Sequence, residues 1–135
     1  MIISQRITII RTTGLVREDN VNEEIRWLCN SLGLFTIRDK DSSCYRVFIE
    51  LLKSSKAHKP LSSDEIAYSL GLSRGTVMHH MNRLMDTGIV ITDRSKYMLR
   101  VENLEVLVNE LERDINRAFQ DIKSIAKRID REMGL

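Results

Sequence analysis

The sequence predicts a mainly α-helical chain with one small β-hairpin and a long C-terminal helix. Three observations lead there. Apolar residues recur at three- and four-residue spacing through most of the 135 residues, of which one is proline and 5% are aromatic. Residues 61–88 hold two short helical segments with cap and stop residues at their ends, and a β-branched run follows directly. From Val101 onward, apolar residues keep a heptad spacing for four repeats.

At this length and 42% hydrophobic content the chain can bury one modest core and carry an appendage. The expected division is an N-terminal extension over 1–41, a compact unit over 42–101 and a C-terminal helix over 102–135. No apolar run approaches the roughly 20 residues of a membrane helix, and no signal-peptide pattern opens the chain, so the expected location is the cytoplasm without membrane association. Cys29 and Cys44 form no Cys-x-x-Cys pair and read as buried small hydrophobes.

Residues 1–13, rich in Ile and Thr and partly alternating, predict a strand, although Ile3, Ile7 and Ile10 also fit a helical stripe. Gly14 breaks the run. A helix follows from about Asn20 to Leu32, with Val21, Ile25, Leu28, Cys29 and Leu32 inward, Gly33 as its stop and Trp27 off the stripe. The polar residues 38–42 predict a turn. Ser42 or Ser43 then caps a helix facing the core through Tyr45, Phe48, Ile49 and Leu52, and 53–60 reads as a solvated basic loop.

In the central stretch, Ser62 and Glu65 have the spacing of a capping box, Ile66, Ala67 and Leu70 face inward, and Gly71 ends the helix. Ser73 caps the second helix, whose buried stripe is Val77, Met81, Leu84 and Met85, and Gly88 ends it. The opposite face carries Gly75, Thr76, His79, Asn82 and Arg83, groups able to read base edges, while Arg74 in the first turn can reach a phosphate. Residues 89–92 and 97–101 predict two strands joined by the basic tip Asp93-Arg94-Ser95-Lys96.

Helix, turn, helix and two-stranded wing is the order of a winged helix-turn-helix. The segment SRGTVMHHMNRLMDTGIV, with its Ser-x-x-Thr-Val opening and Leu-x-x-x-Gly-Ile-Val exit, resembles the recognition helix and first wing strand of ArsR-like and TrmB-like prokaryotic regulators. The resemblance covers about residues 43–101. It implies that the second helix enters the major groove of double-stranded DNA with Arg74, Thr76, His79 and Arg83 facing it, and that Arg94 and Lys96 lie at the wing tip. Gly75, Asn82 and Ser95 complete the expected DNA-binding set. The net charge of +2 is small, but residues 53–100 hold eight Lys or Arg against four Asp or Glu, so the positive excess sits on the expected reading head.

With Val101 at position a, the tail places Val101, Val108, Ile115, Ile122 and Ile129 at a, and Leu104, Leu111, Ala118 and Ile125 at d. Such a helix, about 45 Å long, cannot bury its stripe on so small a domain, which predicts a homodimer paired through Leu104, Val108, Leu111, Ile115, Ala118, Phe119, Ile122, Ile125 and Ile129. Ala118 beside Phe119 marks a locally wider seam.

No catalytic constellation stands out, so no enzymatic activity is expected. His79 and His80 leave their helix about 100° apart and cannot chelate one ion unaided. Metal-binding ArsR-like proteins use a Cys-x-Cys near this helix or His and carboxylate clusters in the last one. This reading head has no cysteine and the tail no histidine. No metal or cofactor is expected, and no small-molecule effector is identified. The expected function is sequence-specific DNA binding by a homodimeric transcriptional regulator at a pseudo-palindromic site. The alternative is a winged-helix scaffold module without sequence-specific DNA contact.

Overall fold

The computed structural model describes residues 4–10, 20–34 and 42–135, which form five helices and a β-hairpin in the order α1 (Val21–Ser31), α2 (Ser43–Lys56), α3 (Ser63–Leu70), α4 (Arg74–Asp86), β1 (Val90–Asp93), β2 (Lys96–Leu99) and α5 (Leu104–Met133). Gly14, the polar turn at 38–41 and parts of the strand expected over 1–13 lie outside the described residues.

α1, α3 and α4 each start at a residue whose side chain caps them, whereas Ser42 at the head of α2, expected as a cap, has a left-handed backbone and makes no side-chain capping bond. Asn20 accepts from the backbone N–H groups of Asn22 and Glu23 at the head of α1. Ser62 and Glu65 exchange both bonds of a capping box on α3, and Ser73 accepts from Thr76 N at 3.1 Å on α4. Gly71 closes α3 at φ 65°, a left-handed conformation that suits glycine. Arg46 of α2 donates to the Leu70 carbonyl, covering an orphan acceptor at the same end.

The core is one cluster. Cys29 and Leu34 from the N-terminal part meet Cys44, Val47, Phe48 and Leu51 of α2, Ile66 of α3, Val77, Met81 and Leu84 of α4, and Ile89, Val90 and Leu99 at the hairpin. The buried face of α2 is thus rotated from the expected one: Ile49 and Leu52 are only half-buried, and Val47 and Leu51 take the central places. The helix also runs on through Lys56, into the stretch expected to be loop. No glycine or proline interrupts it before Pro60, and Lys53 and Lys56 suit the negative end of the helix dipole. In α1, Val21 stands 65% exposed instead of facing inward. The Nε1 of half-buried Trp27 has no hydrogen-bond partner among the described residues.

β1 and β2 pair antiparallel from Val90↔Leu99 to Asp93↔Lys96. The two-residue tip, Arg94 (φ 52°) and Ser95 (φ 64°), has the left-handed backbone that matches strand twist in a tight hairpin. Leu61 forms a further bridge to Tyr97, and the Tyr97 hydroxyl lies 3.5 Å from Met78 Sδ on α4. Wing and second helix are therefore fixed to one another.

Residues 4–10 form no strand. They run as a strap whose amide groups go to helix ends: Arg6 N donates to the Asp86 carbonyl at 2.8 Å and Ile10 N to the Ser31 carbonyl at 2.8 Å. The last carbonyls of α4 and α1 lack intrahelical partners, and the strap supplies them. At its start, Gln5 Nε2 donates both to the Thr87 carbonyl (3.0 Å) and to Asp114 of α5 (2.9 Å).

The long helix departs from the heptad expectation in its first half. Val101 precedes α5. Leu107, off the expected stripe, is buried beside Leu111, and Leu104 packs half-buried against the same cluster. Leu104 and Leu111, expected at the dimer seam, are thus directed to the protomer's own core, because three- and four-residue spacing serves that contact as well as a coiled coil. Every residue from Asn116 to Leu135 is exposed. Beside this transition, a groove of about 700 Å³ opens between the strap and the Ile115–Ala118–Phe119 surface.

Candidate nucleic-acid interface

The head of α4 is open on one side and sealed on the other. Val77, His80, Met81 and Leu84 are buried, whereas Arg74, Gly75, His79 and Asn82 are exposed. A Cβ built at Gly75 would meet nothing within 4 Å, so another backbone can approach closely there. The first-turn backbone N–H groups ahead of the one taken by the Ser73 cap, together with the positive end of the helix dipole, favour a phosphate oxygen.

Of the expected DNA-facing side chains, the structure leaves some open and engages others. His79 and Asn82 stand exposed one turn apart. Arg74 lies 3.6 Å from Asp64 with both side chains about three-quarters exposed, an ion pair worth little in water that a phosphate can displace. Thr76 is half-buried, and its hydroxyl shares a 2.8 Å hydrogen bond with Ser73 inside the cap. Arg83 turns inward: it is half-buried, and its Nη2 donates to the Gly33 carbonyl at 3.0 Å, joining α4 to the turn after α1. Position on the helical wheel could not distinguish a guanidinium facing solvent from one reaching an orphan carbonyl beyond α1.

At the wing, Arg94, Ser95 and Lys96 are all exposed. Glu65 reports the field around them. Its carboxyl is held below the ordinary range chiefly by hydrogen bonds from Ser62, with Lys96 and Lys59 adding to the effect. Lys59, three residues ahead of the Ser62 cap, and Lys96 at the wing tip are both exposed cations.

Tyr68 was not singled out from the sequence, yet its ring is 93% exposed on α3. It lies one turn beyond Asp64 on the same face, and Asp64 reaches Arg74, so this aromatic stands beside the head of α4. The available signal was its place off the Ile66–Leu70 stripe. Among the described residues, no group of three or more His, Cys, Asp or Glu is placed to hold a metal ion, and no helix is long and apolar enough to cross a membrane. His79 and His80 have ring centroids 5.3 Å apart in an edge-to-face arrangement.

Comparison with known proteins agrees with this geometry over the reading head. Residues 49–92, about a third of the chain, match the family model described as bacterial regulatory protein, arsR family. Neither the curated proteins nor the solved structures return a match. With its capped helix pair and tight basic wing the chain carries a winged helix-turn-helix, and the similarity of residues 49–92 to the arsR family supports a DNA-binding transcriptional regulator.

Proposed function

We propose that the chain works as a homodimer that recognises a pseudo-palindromic DNA site, with α4 in the major groove and the wing along the neighbouring backbone. The observation that carries this reading is the two-sided character of α4: one face immobilised in the core, the other presenting Arg74, Gly75, His79 and Asn82 to solvent. His79 and Asn82 are the base readers, Asn82 being suited to the paired donor and acceptor of adenine. Arg74, Arg94, Lys96 and Lys59 contact phosphates, Ser95 and the Tyr68 hydroxyl add neutral donors, and Thr76 holds the cap that aims the helix. Arg83 acts as a strut.

The second copy is supported by α5, whose distal half leaves Phe119, Ile122, Ile125, Ile129 and Met133 between 46% and 70% exposed. A two-fold pairing of these helices would present two reading heads to half-sites about one turn of DNA apart, roughly 34 Å.

The test is DNA binding over a salt series, on a duplex selected by the protein from random sequence and on a scrambled control. Arg94→Ala with Lys96→Ala should weaken both complexes alike and lower the salt slope by about two, whereas Asn82→Ala should cost about 1–3 kcal/mol on the selected duplex only. Equal affinity for selected and scrambled duplexes would overturn sequence-specific reading and favour the scaffold alternative.

A further inference from the structure

The strap and the start of α5 meet beneath the end of α4 in a closed chain of polar contacts. Gln5 Nε2 joins the Thr87 carbonyl, the C-cap of α4, to Asp114 Oδ2 on α5. Asp114 also accepts from Arg100, whose Nε lies 2.7 Å from Glu110, and the Arg100 backbone N–H donates to the Ile89 carbonyl at the base of the wing. The side chains of Arg100, Glu110 and Asp114 are only 12–27% exposed, so these charge-assisted bonds are less screened than surface pairs. Asp114's carboxyl is held below its usual range by the Arg100 hydrogen bond first and the Gln5 bond second.

The Gln5 amide occupies the space over Gly88. A Cβ at Gly88 would come within 2.3 Å of Gln5 Nε2, and Gly88 itself has φ +82°. A side chain there would both strain the turn and evict the amide. The end of α4 and the long helix thus meet at one side chain that comes from the far end of the sequence, and Arg100 ties the wing base to the same carboxylate.

We infer that Gln5 is a positioning residue for DNA recognition: by joining the Thr87 carbonyl to Asp114, it fixes the angle between α4 and α5 and so the half-site spacing that a dimer accepts. This rests on the dimeric reading above. The angle matters because α5 carries the pairing surface and α4 the reading surface, so rotation at their junction is magnified at the distant half-site. Without Gln5 the Arg100 ion pairs still tether α5 to the wing base, but the end of α4 loses its direct tie.

The experiment compares wild type with Gln5→Met, which keeps the volume and removes the donor, on palindromic duplexes whose central spacer is varied one base pair at a time and on a single half-site duplex. Wild type should prefer one spacing. Gln5→Met should lower that preference by about tenfold, the worth of a charge-assisted hydrogen bond, with half-site affinity close to wild type and Tm lowered by the few degrees that the lost bonds cost the fold. An unchanged spacing profile would overturn the inference and leave the dimeric reading standing. A fall in preference matched by an equal fall in half-site affinity would also overturn it, since Gln5 would then serve only the fold. A wild type indifferent to spacing would overturn the dimeric reading and this inference with it.

Discussion

Pairing through α5 can be tested by placing charge on its outer half. Leu107 and Leu111 are 1% and 3% exposed within the protomer, so they bring nothing further to a dimer. What remains is Phe119, Ile122, Ile125, Ile129 and Met133, each about half exposed or more. Burying the rest of ten such side chains, at about 1 kcal/mol each, supplies about 10 kcal/mol gross. Association removes at least about 4 kcal/mol of this, leaving a dissociation constant in the tens of micromolar for the free protein. Binding to adjacent half-sites then raises the effective concentration and completes the pairing. Ile122→Asp with Ile125→Asp puts four carboxylates into the seam and should abolish dimers throughout the micromolar range. Affinity for the palindrome should fall by about 100-fold, while Tm stays within about 3 °C because neither isoleucine packs into the protomer's core. Sedimentation equilibrium and DNA titration measure the two effects. A doubly substituted protein that sediments as a dimer, or one that keeps wild-type affinity for the palindrome, would refute pairing through this helix.

Two further outcomes follow from groups turned inward. Arg83→Ala removes a half-buried guanidinium from the Gly33 carbonyl and should lower stability by about 1 kcal/mol in urea unfolding, a loss absent if the side chain served DNA alone. Cys29 gives a pH dependence: burial first, and the nearby Cys44 second, push its thiol from 9.0 up to about 12. Because the folded value is raised, the contribution is fully present below pH 9 and is lost as pH rises toward 12, with a slope of at most about 1.4 kcal/mol per pH unit. Urea unfolding between pH 8 and 11, compared with Cys29→Ala, isolates that slope, and identical pH profiles for the two proteins would refute it.

The parts of the fold readable from sequence are those fixed by local chemistry. Ser62 with Glu65, Ser73, Gly71 and the Val77–Met81–Leu84 stripe each act within a few residues, and all four appear where the spacing places them. The hairpin was legible from the apolar runs on either side of a polar tip, although Arg94 and Ser95 are not the glycine or asparagine that a left-handed backbone favours. What was not readable depends on partners distant in sequence. The strap forms no strand because its amides meet helix-end carbonyls at Asp86 and Ser31, and no pattern within 4–10 announces those acceptors. The face of α2 lies one position from the expected one because Ile49 and Leu52 are as apolar as Val47 and Leu51, so hydrophobicity leaves its rotation undecided. Likewise, heptad spacing could not tell that Leu104 and Leu111 join the protomer's own core while Ile122 and Ile129 stay bare. At the candidate interface, wheel position marked His79 and Asn82 as open, but the acceptors that engage Thr76 and Arg83 depend on details beyond the wheel.

The inward turn of Thr76 and Arg83 bears on how much sequence one reading head can distinguish. With those two groups engaged within the protein, the proposed reading leaves His79 and Asn82 for base edges, and a good base contact is worth about 1–3 kcal/mol of discrimination. One half-site then supplies about 10²–10³-fold selectivity at mid-range, at the lower end of the 10³–10⁷ that separates specific from non-specific binding. Two half-sites read together multiply their factors and reach about 10⁴–10⁶. The phosphate contacts proposed for Arg74, Arg94 and Lys96 would raise affinity for every sequence equally and could not supply the difference. On the proposed reading, a head this sparse would gain specificity as well as strength from a second copy, and the rigidity of the α4–α5 junction would determine whether both copies could read at once.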